Sequence, residues 1–145
     1  MSTITHQTAA AIRPAHGEKA VREARRLASE ALEECRHAHC ENVSLRADDV
    51  LLVISELVTN ACRHAGGASE VRVQWQQGEL MVEVEDASDA LPQEPTEDAK
   101  GEAGGYGCQL VTALADRWGV APRRGLRTTP GQTCGKTVYA CFAIA

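Results

Sequence analysis

No apolar run in this chain of 145 residues approaches the roughly 20 residues that a membrane helix requires, so no membrane partner is expected. The first residues, Met1 to Ala11, lack a charged start followed by an apolar stretch; no secretory leader is read there, and a cytoplasmic location is expected. Positive charge is in the minority. Fifteen Lys and Arg against 20 Asp and Glu leave a net charge of -5, mixed along the chain, which argues against a nucleic-acid stripe or a polybasic membrane patch. Six cysteines are present, but they are scattered through a chain long enough to bury a core without staples, so reduced thiols are expected. The cluster Cys35-Arg36-His37-Ala38-His39-Cys40 has no second ligand pair at zinc-finger spacing and reads as a polar helix end or loop. Internal repeats and heptads are absent as well.

What is present divides by period. Gly17 to Glu34 sets Ala20, Ala24, Leu27, Ala28 and Ala31 at three- and four-residue steps among charges, which predicts an amphipathic helix just after Pro14. Asn42 to Leu45 reads as a connection, and Arg46 to His64 as a second helix ended by Gly66-Gly67. Alternation then takes over: Val71, Val73 and Trp75, then Leu80, Val82 and Val84, predict a hairpin with one buried face. Ala87 to Gly105 is acidic, aperiodic and rich in Pro and Gly, a length and composition typical of a lid. Gly107 to Arg117 returns to helical spacing. Trp118 to Ala121 and Thr137 to Ala145 read as strands, the latter alternating Val138, Ala140, Phe142 and Ile144. A short strand is expected at Thr8 to Ile12, within an N-terminal segment (1–12) set apart as flexible from a single domain over 13–145. The fold class is α+β, a two-layer sandwich with helices on one face of a mixed sheet.

The chemistry-bearing residues fall in three places. On the second helix Val50, Ile54, Leu57, Val58 and Ala61 share one face, while Glu56, Asn60 and Arg63 gather on the other. An amide oxygen suits a hard cation such as magnesium, and a Glu one turn away can take a proton; without further context the pair would be a solvated helix face. Asp86 ends a strand, where a carboxylate can accept hydrogen bonds in a pocket or simply start a turn before Ser88. Gly104-Gly105-Tyr106-Gly107 precedes a helix, so its amides could hold phosphate oxygens or serve as a hinge.

Taken in order, a Glu/Asn helix, a strand ending in Asp, a long lid, a glycine loop opening a helix and a terminal Gly-Lys-Thr strand follow the motif order of gyrase and histidine-kinase type ATPases. The chain resembles the stand-alone ATP-binding proteins of the bacterial anti-sigma factor/serine-protein kinase family. The resemblance rests on Ser55 to Ala61 with Arg63-His64-Ala65, on Val84 to Asp86 with Ser88 and Pro92, on Gly105 to Val111 with Leu114 to Gly119, and on Gly135 to Val138. It implies the Bergerat fold, with ATP and Mg2+ as cofactors. Asn60 would ligate the metal, Asp86 would accept the adenine amine, and Glu56 would be the general base. Gly105 and Gly107 would let the lid close over the phosphates, Thr137 would border the adenine end from the sheet, and Arg63, Ser88, Gly104 and Tyr106 would complete the nucleotide contacts. Ser88 stands where glycine is common, Tyr106 where related lids often carry Arg, and Cys108 where Leu is usual.

The resemblance implies an ATP-dependent anti-sigma factor that phosphorylates an anti-anti-sigma partner on Ser or Thr, with a sigma factor as the other partner. The alternative is a catalytically inactive, nucleotide-gated protein-binding module. No apolar seam marks a dimer face, although related anti-sigma factors often pair as homodimers.

Overall fold

The computed structural model describes residues 8–12, 17–37, 43–76, 78–88, 107–122 and 135–144. In chain order they form β1 (Thr8–Ile12), α1 (Glu18–His37), α2 (Val43–His64), β2 (Ala68–Gln76), β3 (Glu79–Asp86), α3 (Gly107–Leu114), β4 (Arg117–Pro122) and β5 (Lys136–Ala143). The five strands make one sheet in the order β1-β2-β3-β5-β4. β1 thus brings part of the 1–12 segment into the sheet.

The helices form where the three- and four-residue spacing places apolar side chains on one face. On α1, Ala20, Ala24, Leu27, Ala28 and Ala31 are buried as expected, and the stripe continues through Leu32 and Cys35. Cys35, read from sequence as part of a polar end, is fully buried in the core; His39 and Cys40 lie outside the described residues. The stripe was simply longer than the charged residues around it suggested. On α2, Val50, Ile54, Leu57, Val58 and Ala61 are all buried, joined by Val53 and Val43. Val43 belongs to the helix rather than to a connection, because its burial in the core carries the helical turn back ahead of Arg46. Ile54, fully buried midway along α2, is the side chain whose truncation to Ala would cost about 2–5 kcal/mol. At the other end Gly66 and Gly67 take φ of 74° and 126°, and the Ala61 carbonyl accepts from the amides of Ala65 and Gly67, each at 2.9 Å.

The sheet contributes matched rows to the core. Val71, Val84, Val138 and Val120 lie side by side across β2, β3, β5 and β4; Val73, Val82, Ala140 and Trp118 form the next row, and Trp75, Leu80 and Phe142 the third. Both α1 and α2 pack on this inner face, and α3 packs against α2. The architecture is α+β with helices on one side of the sheet, as expected. The sheet, expected to be mixed, is antiparallel in every described pairing. β3 and β4 do run parallel to each other, but β5 lies between them, so their shared direction never produces a parallel ladder.

The helix expected over Gly107 to Arg117 stops at Leu114, where the chain must turn to enter β4. That corner is tied down: the Asp116 amide donates to the Cys141 carbonyl at 2.9 Å, and the Asp116 carboxylate accepts from the Ala143 amide. Arg46 of α2 reaches the same corner, donating to the Leu114 carbonyl at 2.9 Å while its guanidinium sits 5.3 Å from the centre of the Phe142 ring.

Candidate functional site

One end of the sheet collects the residues that carry chemistry. The strand register places Asp86, at the end of β3, beside Ala68 at the start of β2 and beside Lys136 at the start of β5; Lys136 in turn lies beside Pro122 at the end of β4. The end of α2 leads through Gly66 and Gly67 directly into Ala68, so the last turns of α2, with Glu56, Asn60 and Arg63, approach this same end. Topology, not sequence proximity, makes the cluster.

Asp86 is 3% exposed. Its Oδ1 accepts the Ser88 backbone N–H at 2.8 Å and the Lys136 ammonium at 3.0 Å. Lys136, itself 7% exposed, also donates to the Ser88 carbonyl at 3.3 Å. An unpaired buried charge would cost several kcal/mol, and here the two side chains offset that cost by lying 3.0 Å apart. Both described hydrogen bonds to Asp86 fall on one oxygen, which leaves Oδ2 as an acceptor.

Asn60 supplies a second acceptor. Its Oδ1 is buried and meets no hydrogen-bond donor among the described residues. A buried amide oxygen in that condition is costly unless something else satisfies it, and a hard cation accepts such an oxygen. That one oxygen could give a hard cation a single protein ligand; no cluster of three or more His, Cys, Asp or Glu that could hold an ion by itself occurs among the described residues. Glu56, one turn earlier, is half-buried and makes no ion pair or hydrogen bond among the described residues; Arg63 is exposed. Ser55 has a structural part: its hydroxyl donates to the Leu51 carbonyl at 2.7 Å and accepts from Arg25 of α1 at 2.9 Å.

Thr137 is not at this site. It projects from the outer face of the sheet, 3.5 Å from the Glu85 carboxylate, and the inward position next to it belongs to Lys136. The period-two signal was there to find Lys136, because Val138, Ala140 and Phe142 point inward and residue 136 is in phase with them. Gly107 opens α3; Gly104, Gly105, Tyr106 and the lid beyond Ser88 lie outside the described residues.

The outer face carries a different polar cluster. Arg72 of β2 contacts Glu70 at 2.9 Å, Glu83 at 3.2 Å and Glu85 at 3.3 Å. Burial works to lower the Arg72 pKa, but the hydrogen bonds to Glu70 and Glu83 outweigh it and the pKa is raised. Nearby, burial pushes the Cys141 thiol up to about 11, with the Glu79 carboxylate adding to the effect. A cleft of about 230 Å³ opens on this face between Met81, Arg117, Pro122 and Tyr139, away from Asp86 and Asn60. Of its lining groups, Glu83, Arg117 and Thr137 are engaged by Arg72, Glu79 and Glu85 respectively.

Two helices lie over one face of an antiparallel sheet, with a carboxylate at a strand end and an amide oxygen on the neighbouring helix that has no partner among the described residues. Residues 14–133 match the family model of the histidine kinase-like ATPase domain, and the chain belongs to that family. No curated protein matches it. Family membership implies ATP binding, and no described helix is long and apolar enough to cross a membrane.

Proposed function

We propose that the protein is an ATP-dependent regulator of the anti-sigma type, which phosphorylates a serine or threonine of an anti-anti-sigma partner and also binds a sigma factor, in the cytoplasm. The observation that carries this reading is the pairing on α2 of half-buried Glu56 with Asn60, whose Oδ1 is buried; among the described residues Glu56 is unengaged and that oxygen meets no donor. Asn60 is suited to hold Mg2+, and the ion, when bound, would neutralise phosphate charge. Asp86 is suited to accept the adenine amine through Oδ2. Glu56 takes the proton from the partner hydroxyl as that oxygen bonds to the γ-phosphorus and the bond to the departing ADP breaks. The chemistry is mainly positioning, and removing a well-placed general base should lower its rate by about 100-fold or more.

The test is phosphotransfer. The protein is used with magnesium-ATP to capture partners from its own cells, and the captured anti-anti-sigma protein is weighed for one added phosphate. A Glu56→Gln variant should still bind ATP and fail to transfer; transfer at the parental rate would exclude Glu56 as the base.

A second reading has its own support. Ser88, the second residue after β3, is bonded through its N–H to Asp86 and through its carbonyl to Lys136. Nucleotide at Asp86 would then act directly on the root of the lid and gate partner binding without catalysis. Capture of unmodified partners only when ATP is present would favour it.

A further inference from the structure

Among the inward-facing residues of β5, Lys136 alone is charged, and no structural requirement of the apolar rows next to it calls for a lysine. Placing an ammonium where its side chain is only 9% exposed is tolerated because Asp86 and the Ser88 carbonyl accept two of its three N–H donors. The third N–H meets no acceptor among the described residues. Beside it, Asp86 presents Oδ2, since both of its described hydrogen bonds are on Oδ1. The end of the sheet therefore offers one donor and one acceptor next to each other, both fixed by burial.

That pair is complementary to the edge of adenine, where the amino hydrogen on N6 stands beside the ring acceptor N1. Resting on the proposed ATP site, we propose that Lys136 reads the base directly: its free N–H donates to N1 while Asp86 Oδ2 accepts from N6. Lys136 is then a specificity-determining residue, and two protein groups, not the aspartate alone, select the base. The ion pair also holds the carboxylate in place before the base arrives, which limits the ordering that binding requires.

The test compares ATP with 1-deaza-ATP, in which a C–H replaces N1, by calorimetric titration of the full chain with magnesium. Losing one hydrogen bond to a charged donor should weaken binding by about tenfold or more. In Lys136→Met the affinity for ATP should fall to a similar degree, and the difference between ATP and 1-deaza-ATP should vanish. A merely structural lysine would lower the affinity for both nucleotides and keep their ratio. Equal binding of the two nucleotides by the parental protein overturns the inference while leaving the ATP site standing, and this result needs no variant to fold. Tighter ATP binding by Lys136→Met also overturns it, because the lysine would then be a competitor for Asp86. If neither nucleotide binds, the proposed ATP site fails and the inference fails with it.

Discussion

β3 carries three buried carboxylates within four residues, and they have opposite fates. Glu83 and Glu85 face outward, where Arg72 bridges both; Asp86 faces the helices, where Lys136 and the Ser88 amide share a single one of its oxygens. In the outer group the carboxylates are engaged by neighbours, and Arg72 Nε is left without a partner among the described residues. Arg72 is shared among three carboxylates, and Gln74 and Thr137 also lie against Glu83 and Glu85. The inner group keeps open acceptors: among the described residues the Asn60 oxygen meets no donor, and both bonds to Asp86 fall on Oδ1. Burial and charge alone do not distinguish the two groups; the inner one differs in keeping unfilled acceptors, whereas the outer carboxylates are engaged.

The largest way to break that comparison is to remove the outer bridge. Arg72→Met should leave two buried carboxylates without their cation and destabilise the fold by about 3–5 kcal/mol, measured by urea unfolding. If the outer cluster is a strut, the folded fraction should still bind ATP with parental affinity. Next, Asp86→Ala should weaken ATP binding by about 100-fold, since it removes the base acceptor and strands Lys136. Glu85→Gln, one residue away, should change affinity by less than about twofold because it faces the other side of the sheet. A large loss in both variants would mean that the two faces do not divide structure from function.

Smaller effects sharpen the picture of the outer face. Gly119 lies opposite Tyr139, and a Cβ there would collide with the tyrosine ring and hydroxyl, so Gly119→Ala should cost about 1–3 kcal/mol in thermal unfolding, with nucleotide affinity unchanged. Cys141 should give the smallest effect. Its folded pKa of about 11 lies above the ordinary thiol value of 9.0, so the stability linked to it is fully present below pH 9 and is lost as pH rises through 11. The same burial predicts that Cys62, half-buried on α2, is alkylated before the fully buried Cys141 in the native protein.

Local periodicity made much of this legible in advance. The buried faces of α1 and α2 and the hairpin of β2 and β3 follow from which positions are apolar, because a helix or strand in contact with a core must repeat its apolar residues at its own period. The same rule would have exchanged Thr137 for Lys136 had its phase been followed from Val138 one step back. The burial of Cys35 is not legible locally, because Arg36 and His37 follow it directly and mask the end of the apolar stripe. The antiparallel sheet was not legible, since the insertion of β5 between β3 and β4 is a long-range pairing that no local pattern records.

The order of motifs determined by itself that a Glu/Asn helix, a strand-end Asp and a glycine loop belong to an ATP-binding domain, because those residue types meet the needs of metal, base and phosphate. Only the tertiary structure decided which groups are already satisfied. It joined Lys136 to Asp86 across 50 residues, left the Asn60 oxygen without a donor among the described residues and assigned Arg72 to the glutamates. Hydrogen-bond capacity is used up by neighbours in space, and those neighbours are set by how the chain folds back on itself.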